Sequence, residues 1–217
     1  MNSTRIRKIA MTAMLCALAF VTVALIRIPV VMFLKYDPKD VIITLGGLIF
    51  GPLTSLIVSV VVSLIEMVTI SDTGIWGCIM NIVSTCAFAC TATFIYKKKH
   101  TMGGALIGLV CGILTQIGVM LLWNYLITPI YMGYPRQAVA DLLVPVFLPF
   151  NALKASLNAG ITFMLYKPVV IALRKTGMVE NRQSGEKVGK KAIGVYILVA
   201  MVIITCVLFV LSMKGVI

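Results

Sequence analysis

Apolar runs of membrane-spanning length, separated by short polar clusters, fill most of this chain. A transmembrane helix needs about 20 predominantly apolar residues. The first run covers residues 9–26, and a polar loop at 27–40 follows, containing FLKYDPKD. The next run, 41–69, is too long for one untilted span and barely long enough for two. Its middle carries Gly51 and Pro52, a pair that breaks helices. Further runs cover 75–96 and 103–127. The next span is expected to start near Pro149, because proline is favoured in a first helical turn, and to end near Leu173. Residues 142–148 before it read as an outer re-entrant or lid segment. A polar linker at 175–191 precedes a last apolar run, 192–212.

Charge decides how many times 41–69 crosses. A single crossing would put Lys97–Lys99 opposite Arg5–Lys8; two crossings put both clusters on one side. The positive-inside rule favours two, with a short second span turning at Gly51-Pro52. The chain is then an all-α integral membrane protein of seven spans, multi-pass, with a cytoplasmic N-terminus. Residues 1–174 form a six-helix core, 175–191 a basic cytoplasmic linker, and 192–217 an additional C-terminal transmembrane helix. Of the 19 basic residues, 13 fall on the cytoplasmic side: three near the N-terminus, three at Lys97–Lys99 and seven from Lys167 to Lys191.

Composition agrees. The chain has 217 residues, 60% hydrophobic and 12% charged, more apolar than a soluble domain of this size needs. The net charge of +12 would suit nucleic acid, but its placement in clusters between apolar runs assigns it to membrane topology instead, with lipid as the surrounding partner. The N-terminus resembles a signal peptide without a convincing cleavage site, so it reads as a retained first span. The six cysteines all lie in apolar runs without a CxxC pair, and read as small buried hydrophobes. With one histidine, in a lysine-rich turn, no metal site is expected. The chain carries no phosphate-binding loop, HExxH or GxSxG, so neither an enzyme nor ATP hydrolysis is expected.

The chemistry concentrates in the spans. Asn151, Lys154 and Asn158 recur at i, i+3 and i+7, so they share one helix face. A lysine within a span is costly unless it is paired, snorkels or lines a wet cavity. Topology places Asn81, Asn124 and Glu66 at a similar depth, toward the outer end, under a loop carrying Leu34, Lys35, Tyr36, Asp37 and Asp40. With aromatic surface from Tyr36, Trp76 and Trp123, such a cavity suits a flat, polar, mostly uncharged small molecule. Plainer readings stand beside this one. Lys154 can pair with Glu66, the asparagines can be interhelical hydrogen bonds, and Asp37-Pro38 with Asp40 can be a turn.

The runs FLKYDPKDVIITLGGLIFGP, SDTGIWGCIMN, NYLITPIY and PFNALKASLNAG, in that order, resemble the riboflavin-specific substrate-binding (S) subunits of energy-coupling-factor (ECF) vitamin transporters. The likeness covers about residues 5–174. It implies a six-helix subunit of the bacterial cytoplasmic membrane that binds riboflavin on the outer side, as transported ligand rather than cofactor. It also implies a partner module of two ABC-type ATPases and a transmembrane scaffold. The positions of Asn124, Asn151 and Lys154 then hydrogen-bond the ligand, the loop with Leu34, Tyr36 and Asp40 covers it, and Asn81 and Asn158 complete the site. Ala13 and Ala17 match the family's docking surface for the scaffold, where small residues at i and i+4 permit close helix approach. The linker and seventh span depart from the family's six-helix pattern. The alternatives are an S subunit for another vitamin or flavin, such as thiamine or flavin mononucleotide, or a membrane enzyme acting on a lipid-soluble substrate.

Overall fold

The first apolar run becomes a 23-residue helix, α1 (Ser3–Leu25). A computed structural model describes residues 3–31, 34–175 and 199–208 of the chain. After α1 the polar loop folds into a small antiparallel hairpin, β1 (Ile28–Val31) with β2 (Leu34–Tyr36), pairing Ile28 with Tyr36. No alternating pattern announced these strands; they are too short to carry one.

The Gly51-Pro52 break falls where charge placed it. Helix α2 (Lys39–Phe50) stops at Gly51, whose φ of 103° favours a residue without Cβ, and α3 (Pro52–Thr69) starts with proline in its first turn. Helix α2 has 12 residues, so it is about 18 Å long, well short of a bilayer core of about 30 Å. Helix α3 turns Ser55, Ser59, Ser63 and Glu66 inward along one face. Ser55 Oγ donates to the Ile43 carbonyl at 3.1 Å, tying α3 to α2.

Helices α4 (Gly74–Thr85) and α5 (Thr91–Lys98) are one continuous rod, joined by a π turn at Cys86–Cys90. Helix α6 (Met102–Leu126) packs against it through Gly104, Gly108 and Gly112, one glycine per turn on one face. A Cβ on Gly112 would sit 2.8 Å from the Phe88 carbonyl oxygen, so the close approach requires glycine there.

A short α7 (Thr128–Met132) precedes the last core rod: α8 (Arg136–Leu142), a π turn at Leu143–Phe147, and α9 (Leu148–Lys175). Two expectations are corrected here. The span does not begin near Pro149 but at Arg136, and residues 142–148 are neither re-entrant nor a separate lid. Pro145 and Pro149 cannot donate backbone hydrogen bonds, and the rod accommodates them by widening into a π turn rather than by ending.

Five of these helices are long and apolar enough to cross a membrane, with α2 as the short sixth member of the core. Leu25, Leu53, Val68 and Leu114 on the outside are well exposed, as on a lipid-facing surface. The core gathers Cys16, Ala19, Ile43, Val62, Phe88, Ala92, Leu109 and Phe163. Of the expected last span, a helix α10 (Val199–Leu208) is described; residues 176–198, which hold nearly all of the linker, and 209–217 lie outside the described residues. Val199 joins the core beside Phe163, while Cys206 packs near Tyr36, Leu153 and Leu157. Helix α10 therefore runs antiparallel to α9.

Candidate functional site

Two carboxylates and a lysine arrive within four residues where β2 meets α2: Asp37, Lys39 and Asp40, all buried. Helix α9 brings Lys154 from the other side. Its Nζ donates to Asp37 Oδ2 at 3.3 Å and lies 3.8 Å from Asp40 Oδ2. Lys39 Nζ donates to both oxygens of Glu66, at 2.6 and 2.8 Å. Lys154 and Glu66 are therefore not each other's hydrogen-bond partners, contrary to the plainer reading. Lys39 holds Glu66 because the first turn of α2 faces the C-terminal end of α3.

The carboxylates are further anchored. Thr85 Oγ1 donates to Asp40 Oδ1 at 2.7 Å, and Asn158 Nδ2 donates to Asp40 Oδ2 at 3.2 Å. Tyr36 hydroxyl donates to Asn158 Oδ1 at 3.1 Å. Asn81 Nδ2 donates to Glu66 Oε2 at 3.1 Å. Three carboxylates and two ammonium groups thus share one buried network, which charges require when removed from water. At Asp37, burial pushes the carboxyl up, but Lys154 and Lys39 outweigh it and hold it below the usual carboxylate range.

Above this network lies a cavity of about 190 Å³ at the hairpin end of the bundle. Of the expected site residues, Leu34, Asn81, Asn151 and Lys154 line it. Tyr36, Asp40 and Asn158 do not; they form the layer behind Lys154. Asn124 is buried off the wall, with Nδ2 donating to the Met120 carbonyl at 2.7 Å and Oδ1 accepting from Thr128 at 3.0 Å. The aromatic surface differs from expectation. Trp76 is exposed on the outside, and Phe150 supplies the aromatic wall, beside Met80 and Met120. Arg27, Lys35 and Asp72 stand at the mouth, with Lys35 paired to Asp72 and Arg27 donating to the Ile70 carbonyl at 2.5 Å.

Asp37 also lines the cavity; its buried Oδ1 accepts no hydrogen bond among the described residues but lies 3.9 Å from the Lys39 ammonium. The cavity therefore offers the Asp37 carboxylate, amides on Asn81 and Asn151, one ammonium and a thioether-aromatic wall. That is equipment for holding a polar, ring-bearing small molecule. No nucleophile–base pair lines the cavity among the described residues.

Sequence reading missed Lys39, and it weighed Asp37 as a turn residue. Lys39 had a signal in charge balance, since Asp40 and Glu66 buried in apolar runs need cations. Phe150 and the two methionines had none, being ordinary span residues.

The geometry defines a bundle of helices apolar enough to cross a membrane, with a small-molecule cavity at one end. A family model described as "ECF transporter, substrate-specific component" matches residues 7–166. The chain belongs to this family of transporter components, which are not enzymes. It is 26% identical over 184 residues to a protein of Staphylococcus aureus named riboflavin transporter RibU, covering 81% of this chain and 96% of the relative. It is 27% identical over 162 residues to one of Bacillus subtilis named riboflavin transporter FmnP, covering 69% and 85%. A solved structure described as the S component of a bacterial ECF transporter matches with a TM-score of 0.68 at 25% identity, covering 78% of this chain and 99% of that one.

Proposed function

We propose that this chain is the riboflavin-binding subunit of an ECF-type importer, capturing the vitamin on the extracellular side of the cytoplasmic membrane. The observation that carries this reading is the cavity wall. Asn81, Asn151, Lys154 and Asp37 converge beneath the hairpin, in a chain whose relatives are named riboflavin transporters. Riboflavin has ring carbonyls that accept, a ring N–H that donates, and hydroxyls on its ribityl chain. Lys154 and the asparagine amides suit the carbonyls, and Asp37 suits a donor. Phe150, Met80 and Met120 offer the flat ring an apolar face.

Ligand pockets usually measure about 300–1,000 Å³, and this cavity is smaller, so the hairpin shifts outward as the ligand enters. Leu34 and Lys35 on β2 move with it. The incoming carbonyl competes with Asp37 for the Lys154 ammonium, so binding loosens the contact that fastens the hairpin to α9. Asp40 faces Lys154 from behind and is held there by Asn158, which accepts from Tyr36, and Asn124 supports the wall at α6.

Basic residues at the N-terminus and at Lys97–Lys99 support a cytoplasmic position for that end of the bundle. Uptake is driven by two ABC-type ATPases through a transmembrane scaffold, since the chain has no nucleotide-binding loop. Ala13 and Ala17, both exposed on α1, are the docking surface for that scaffold. The absorbance spectrum of the purified protein tests the ligand assignment. A bound flavin gives visible bands, and a colourless protein that stays colourless after incubation with riboflavin sinks it.

A further inference from the structure

Helix α2 is too short to match the bilayer, and its end leaves a recess. The recess measures about 380 Å³ and lies at the opposite end of the bundle from the ligand cavity. Lys8 on α1, Lys97 at the end of α5 and His100 just beyond it rim the recess, and all three are exposed. Its floor is apolar, made by Leu48, Phe50, Pro52 and Leu53, and Leu53 continues onto the lipid-facing surface. The first residues of α3 also face in, so the positive end of an 18-residue helix adds to the lysines.

No carboxylate lines the recess among the described residues. The five acids among the described residues, Asp37, Asp40, Glu66, Asp72 and Asp141, all belong to the hairpin end of the bundle or its flanking segments. Lys8 and Lys97 have no ion-pair partner among the described residues. Unbalanced cations above an apolar floor, at the depth of the membrane surface, match a ligand that is anionic at one end and apolar at the other.

We propose that this recess binds the phosphate headgroup of an anionic membrane lipid, with Lys8, Lys97 and His100 around the phosphate and the glycerol end of the chains over Pro52 and Leu53. The lipid fills the gap below the short α2 and fixes the Gly51 turn against α1 and α5. The inference takes only the cytoplasmic orientation from the proposed function, and its readout involves no riboflavin, so either can fail alone.

The test is native mass spectrometry of the full chain titrated with phosphatidylglycerol, with phosphatidylcholine as the neutral counterpart. The variant Lys8→Gln/Lys97→Gln/His100→Gln should retain about 30-fold less phosphatidylglycerol than wild type, the loss expected for two lysine charges near the surface. The variant Arg5→Gln/Lys98→Gln/Lys99→Gln removes basic groups outside the recess and should lose clearly less than the recess variant. Lys8→Arg/Lys97→Arg keeps the charge and should bind as wild type, which guards against loss of fold. Equal losses in both glutamine variants would overturn the site in favour of diffuse surface attraction. Saturable binding of inorganic phosphate in neutral lipid, lost in the recess variant, would overturn the lipid in favour of a soluble anion. Binding that appears only after Glu180→Gln/Glu186→Gln would make the linker the occupant and end the proposal.

Discussion

Lys39 and Glu66 form a bidentate ion pair between the first turn of α2 and the C-terminal end of α3, with Lys39 fully buried and Glu66 3% exposed. Breaking one partner of such a pair strands the other charge, at about 3–5 kcal/mol. Lys39→Met alone should therefore lower thermal stability sharply. Adding Glu66→Gln should recover most of the loss, because the neutral amide it introduces carries no stranded charge and its oxygen can still accept from Asn81. Thermal unfolding of the four proteins in one detergent checks it. An additive double variant would show that the pair carries no coupling.

Lys154 is different, because it touches both the network and the cavity. Lys154→Met should weaken riboflavin binding by about 10- to 100-fold, the range for a lost hydrogen bond to a charged group. Asp37→Asn in the same background should restore stability but not affinity. Flavin fluorescence titration alongside unfolding separates the two effects. Full affinity in the double variant would remove Lys154 from the ligand.

Asn151 and Asn124 should also separate. Asn151 lines the cavity, so Asn151→Ala should cost about two- to tenfold in affinity. Asn124 spends both ends of its amide on its own helix and on Thr128, so Asn124→Ala should cost stability first and affinity less. The reverse order would mean that the ligand reaches deeper along α6 than the cavity does.

Gly112→Val should destabilise the bundle by about 1–3 kcal/mol, since the added carbons meet the Phe88 backbone rather than a mobile side chain. Gly118→Val, at a position with open space, is the control. Equal effects would show that the contact between α6 and the π turn is looser than its geometry.

Ala13→Leu/Ala17→Leu should leave riboflavin binding intact, because both residues are exposed on α1, away from the cavity. Co-purification with the ATPase module and uptake into vesicles should be lost. Uptake at the wild-type rate would exclude this face of α1 from docking.

The helical runs and the turn at Gly51-Pro52 were legible because apolar length and charge placement are properties of sequence alone. Asn151, Lys154 and Asn158 were legible for a related reason: polar residues in a span need an explanation. Pairings were not. Lys39 with Glu66 and Lys154 with Asp37 join residues 27 and 117 positions apart, and only packing decides which cation meets which carboxylate. The start of the last core span was misplaced because proline signals a helix start as readily as it forces a π turn. The hairpin escaped notice because strands of four and three residues leave no periodicity.

The central claim is that the cavity beneath the hairpin holds riboflavin. Its most direct test is equilibrium titration of the purified wild-type chain with riboflavin, followed by flavin fluorescence and repeated with Lys154→Met. Saturable quenching at one site per chain in wild type, weakened at least about tenfold in the variant, is the expected result. Quenching that is absent, or that is unchanged by the substitution, would contradict the account.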